Sequence, residues 1–103
     1  SSSSSSSPVP KDCRTVFLKN LSYDASTEDV QNVMETYGKI VDVRIVRNYK
    51  THQSKGFAYV EYKNPEGAQQ AVQESSSISI LHRNVLVDYD VGGRIRASYK
   101  KHE

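Results

Sequence analysis

The sequence predicts an α+β domain of order βαββαβ, a four-stranded antiparallel sheet with two helices on one face. Three observations lead there: four stretches alternate apolar and polar residues with the period of a strand, two carry apolar residues at helical spacing, and 103 residues suffice for one core.

The first alternating stretch is Thr15 to Asn20, where Val16 and Leu18 alternate with Phe17 and Lys19. Ser26 or Thr27 can cap a helix whose Val30, Val33, Met34 and Tyr37 share one side, with Glu28 and Asp29 in its first turn and Gly38 as its stop. The second strand is Ile40 to Arg47, with Val43 and Ile45 inward and Arg44 and Val46 outward. A polar loop, Asn48 to Ser54, leads to the third strand, Lys55 to Tyr62. Asn64-Pro65 starts a second helix with Ala68, Ala71 and Val72 buried, and this helix stops near Ser75-Ser76-Ser77. Ile78 to Arg83 should form a short hairpin, and Val85 to Tyr89 the last strand.

Outside this unit, 13–91, the ends differ in composition. Residues 1–12 hold a serine run and two prolines and are expected to be a flexible linker. Residues 92–103 carry Arg94, Arg96, Lys100 and Lys101 against Glu103 and form a basic extension. With no initiating methionine, the chain is expected to be a piece of something longer.

Net charge is only +2, but its distribution is uneven. Arg44, Arg47, Lys50 and Lys55 occur in a stretch without Asp or Glu, whereas Asp24, Glu28, Asp29 and Glu35 gather around the first helix. Cys13 is the single cysteine, which excludes an internal disulfide, and no apolar run approaches the roughly 18 residues of a membrane-spanning helix. His52, His82 and His102 lie in separate segments, so no acid, base and nucleophile set is evident. The expectation is a monomeric domain that is not an enzyme, with no cofactor, metal or membrane partner.

The third strand, KGFAYVEY, raises the functional question. Period two sends Ala58, Val60 and Tyr62 to the core and Phe57 and Tyr59 to the face that the helices leave open. By the same alternation Phe17 faces outward, and if the first and third strands are central the three rings form one platform. Rings held in the open can stack on unpaired bases, and Lys19, Arg44 and Lys55 around them can meet phosphates. Val46, Leu86 and Asp88 are expected on the same face, so part of it is aliphatic and one position is acidic.

VFLKNL at Val16 to Leu21 and KGFAYVEY at Lys55 to Tyr62 resemble the two signature motifs of the RNA recognition motif (RRM) family, and the resemblance extends over Arg14 to Asp90. It implies a ferredoxin-like sandwich. It also implies that Phe17 and Tyr59 stack on successive bases of single-stranded RNA, that Phe57 contacts a sugar or third base, and that Lys55 pairs with a phosphate. Arg94 and Arg96 are placed to reach RNA leaving the sheet. VLVDYDVGGR resembles spliceosomal small nuclear ribonucleoprotein RRMs, and SKGFAYVEYKNPEGA equally resembles nucleolin-type and poly(A)-binding ones. Nuclear RNA processing and a nuclear location are what this implies, with a cytoplasmic one as the alternative. The rival function is binding of a protein partner within a ribonucleoprotein complex through the acidic helical face. His82-Arg83 stands where the family usually has Gly-Arg, which leaves the hairpin conformation open.

Overall fold

A computed structural model describes residues 12–90. Its elements run β1 (Thr15–Lys19), α1 (Thr27–Met34), β2 (Ile40–Arg47), β3 (Ser54–Tyr62), α2 (Pro65–Gln73), β4 (Ser79–Ile80), β5 (Arg83–Asn84) and β6 (Leu86–Tyr89). The main sheet is antiparallel in the order β2-β3-β1-β6, so the two strands with the signature motifs are central, and β4 and β5 pair apart as a small hairpin. The expected βαββαβ order is therefore present, with that hairpin between α2 and the last strand.

Alternation decides the two surfaces of the sheet. Val16, Leu18, Ala58, Val60 and Val87 turn to the helices and are at most 3% exposed, packed with Val30 and Met34 of α1 and Ala68 and Ala71 of α2. Burying the valine and leucine side chains contributes roughly 1.5–3 kcal/mol each, which pins the register, since a one-residue slip would send every one of the strand residues to water. Tyr62 ends β3 inside the core, where its hydroxyl donates to the Met34 carbonyl at 2.8 Å. A phenol buried among apolar groups needs such an acceptor, and this one lies at the C-terminal end of α1.

The helix ends differ from expectation in detail. Ser26 is the N-cap of α1, and its backbone N–H donates to the Asp29 carboxylate at 3.2 Å. The α-helix stops at Met34 and continues as a tight 3₁₀ turn through Tyr37. Gly38 does follow it, but with φ of 169° it is extended, not the left-handed cap that a glycine there suggests. Its reason is close approach: a Cβ on Gly38 would stand 2.7 Å from the Gly67 Cα, and one on Gly67 would stand 2.8 Å from the Tyr62 ring. The two glycines let α2 settle against the start of β2 and the Tyr62 ring.

The hairpin also departs from expectation. Its pairs are Ser79 with Asn84 and Ile80 with Arg83, one residue further along than the span Ile78 to Arg83. Leu81 and His82 both take positive φ, 55° and 61°, so histidine adopts the conformation that glycine would adopt freely. Ile78 and Ile80 are buried before the turn, and Val85 is buried after it with its N–H bonded to the Ile78 carbonyl at 3.0 Å. Val85 thus precedes the last strand, which begins at Leu86.

Candidate nucleic-acid interface

The outer face of the sheet is built in rows that run across the strands. In the central row Asp88, Phe17, Tyr59 and Arg44 stand side by side, because Phe17 pairs with Asp88 on β6 and with Tyr59 on β3, and Tyr59 pairs with Arg44 on β2. Toward the β2–β3 loop lie Lys19 opposite Leu86 and Phe57 opposite Val46. On the other side lie Thr15, Glu61 and Asp42, with Thr15 and Asp42 each opposite Glu61.

The three rings form the continuous surface that alternation predicts. Phe17 lies between the others, its centroid 5.3 Å from that of Phe57 at 28° and 5.0 Å from that of Tyr59 at 33°. Offset contacts of this kind contribute about 0.5–1.5 kcal/mol and hold the rings in place. Phe57 and Tyr59 remain 37% and 36% exposed, while Phe17 is half-buried by its two neighbours. Gly56 makes the local geometry possible: it has φ of 86°, and its carbonyl accepts the Leu21 N–H at 2.9 Å, which ties the end of β1 to the start of β3. This is more than the small side chain that the start of a strand tolerates, because only glycine enters that conformation without strain.

The cations are less uniform than the sequence suggests. The Lys19 ammonium lies 2.8 Å from the Asp88 carboxylate, so two residues of the same face satisfy each other. Arg44 projects beside Tyr59, largely exposed, with its Nε 4.0 Å from Asp42. Lys55 is exposed and, among the described residues, makes no ion pair. Arg47 is not with the rings. It lines one concavity with Thr27, Val43 and Ile45, and another, of about 340 Å³, with Tyr23, Asp24 and His52. Lys50 and Tyr49 sit in the β2–β3 loop, which Asn48 closes by accepting the Lys50 N–H at 2.6 Å on its side chain. Arg94 and Arg96 lie outside the described residues.

Thr15, Asp42 and Glu61 are absent from the sequence-based set of site residues. Period two alone places Thr15 and Glu61 on the ring face, two positions from Phe17 and Tyr59, and Asp42 two positions from Arg44; setting Asp42 against Glu61 requires the β2–β3 register. Among the described residues no group of three or more His, Cys, Asp or Glu side chains is placed to hold a metal ion.

Comparison with known proteins agrees with the fold. The chain is 32% identical over 78 residues to the U2 snRNP component ist3 of Schizosaccharomyces pombe, an alignment that covers 76% of this chain and 36% of that protein. It is 37% identical over 79 residues to nucleolin of Gallus gallus, covering 77% of this chain and 11% of nucleolin. The chain thus spans about a third or less of the curated relatives it matches. Among solved structures, the Rna15 RRM superposes with a TM-score of 0.71 at 22% identity over 82% of this chain and 98% of that one. The same domain with bound RNA (GU) superposes with a TM-score of 0.66 at 22% identity over 84% of this chain and 98% of that one. At such identity the superposition speaks for the fold alone. The family model described as RNA recognition motif matches residues 16–86, the span from β1 into β6, and by that match the chain belongs to the RNA recognition motif family.

Proposed function

We propose that the chain binds single-stranded RNA on the outer face of its sheet, with Phe17 and Tyr59 stacking on two successive bases and Phe57 against a sugar or a third base. The observation that carries this is the platform of three rings on the two central strands, Phe17 packed against both Phe57 and Tyr59 and the latter two exposed, a surface for which the core has no use. Each stacked base contributes roughly 1–3 kcal/mol. Lys55 and Arg44 meet phosphates on either side of the rings. Lys19 does so only when RNA draws it away from Asp88. Arg94 and Arg96, which follow the last strand in the sequence, are the further cations proposed to contact RNA that leaves the sheet.

Two or three stacks and a few phosphate contacts, set against the ordering of a flexible strand, correspond to dissociation constants on the order of micromolar, about −8 kcal/mol. The process served is nuclear RNA processing. Support comes from the names of the relatives, a U2 snRNP component and nucleolin among them. Protein partners in a ribonucleoprotein complex are compatible with an RNA-occupied sheet, because the acidic residues Glu28 and Glu35 lie on the helical side and stay exposed. Titration of the isotopically labelled chain with a mixed-sequence single-stranded RNA tests the proposal. Amide shifts should concentrate in β1 and β3, at Phe17, Phe57 and Tyr59; shifts confined to α1 and α2, or none, would overturn it.

A further inference from the structure

Next to the ring row the outer face changes character. Asp42 stands directly opposite Glu61 across β2 and β3, and neither carboxylate serves the core. Like charges directly opposite each other destabilise a sheet, so folding gives no reason for this pair. Together with Thr15, Arg44 and Tyr59 the two carboxylates line a concavity of about 180 Å³ that is continuous with the stacking surface through Tyr59.

We propose that this concavity is a base-selective subsite that favours guanine, with Glu61 as the residue that reads it; the proposal rests on the reading that the sheet binds RNA. An ionised carboxylate only accepts hydrogen bonds and repels phosphate, so what enters beside Glu61 is the edge of a base and not the backbone. Single-stranded bases expose their Watson–Crick edges to such groups. Guanine alone offers two neighbouring donors there, N1–H and the N2 amino group, which match the two oxygens of one carboxylate. Adenine and cytosine each offer a single amino group beside an acceptor. Uracil offers one N–H between two carbonyl oxygens, both of which a carboxylate repels.

The other lining residues suit the same base. Tyr59 supplies the ring on which it stacks. Arg44 stands on the far side of Tyr59 from Phe17, at the border of the concavity, and keeps to the phosphate next to that base. Its guanidinium is held near Asp42 at 4.0 Å, and among the described residues Glu61 has no cation of its own. A donor-rich base edge therefore supplies what the Asp42–Glu61 pair lacks.

The test uses the full chain and labelled pentanucleotides of sequence UUGUU, UUUUU and UUIUU, where I is inosine, which keeps N1–H and lacks the N2 amino group. Anisotropy titrations should give UUGUU an affinity about tenfold above UUUUU, with UUIUU between them, as expected for one well-paired base edge. Glu61→Ala should bring the three oligonucleotides close together, and its amide spectrum should show the wild-type fold, since Glu61 is exposed. Equal affinity of the wild-type chain for all three, or a guanine preference that survives Glu61→Ala, would overturn the subsite while RNA binding stands. If the wild-type chain binds none of them, the RNA reading itself fails and the subsite with it.

Discussion

Tyr59 and Tyr62 lie three residues apart on β3 and have opposite fates. Tyr62 is 1% exposed, packs against Gly67 and donates its hydroxyl to Met34. Tyr59 keeps 36% of its surface exposed and packs against Phe17 on the neighbouring strand, ring centroids 5.0 Å apart. Residue type cannot distinguish them. Strand parity does, because an odd separation puts the two rings on opposite faces and only one face is backed by helices. A buried ring supports the fold, and the exposed one is free for a ligand.

The largest expected effect comes from emptying the buried side. Tyr62→Ala should destabilise the domain by about 3–5 kcal/mol, the range for losing a large buried aromatic side chain, as measured by denaturant unfolding. That is a large part of the stability of a domain this small. A loss below about 1 kcal/mol would show that the ring is not the support that its burial implies.

A gentler substitution isolates the phenol. Burial pushes the Tyr62 hydroxyl well above its usual range, with the neighbouring Tyr37 adding to the shift. The folded state therefore keeps its proton at a pH where the unfolded chain, titrating near 10.0, loses it. Its contribution is complete below that pH and is lost above it, by about 1.4 kcal/mol per pH unit. Tyr37 and Tyr89, both shifted upward by burial, act with the same sign. Tyr62→Phe should shed about 1 kcal/mol at neutral pH with the lost hydrogen bond, and its alkaline instability should be less steep. Equal alkaline slopes for the two proteins would place the sensitivity elsewhere.

How much of this was legible in the sequence depends on whether a feature is local or paired. The outward direction of Phe17, Phe57 and Tyr59 follows from alternation within single strands, and so does the inward direction of Val16, Leu18 and Val60. Contacts between distant segments do not follow. Lys19 reads as a free cation until the β1–β6 register sets Asp88 beside it. Gly38 reads as a helix cap until α2 brings Gly67 against it. The turn at Leu81-His82 has no glycine to announce its two positive φ values, which lie between the buried Ile80 and Val85.

The smallest expected effect is on the exposed side. Asp88→Asn releases Lys19 and removes a negative charge from the ring face, so RNA binding should tighten by less than about 1 kcal/mol, both groups being well exposed and screened. Weaker binding by the variant would mean that the carboxylate serves the ligand directly and not through Lys19.

The division between a supporting face and a binding face is tested most directly by replacing Phe17 and Tyr59 together with alanine and following both unfolding and RNA affinity. Affinity should fall by about 2–5 kcal/mol, two stacking contacts, while the chain stays folded and loses only the roughly 1–3 kcal/mol of the two ring contacts. A collapsed fold, or RNA bound as tightly as before, would contradict it.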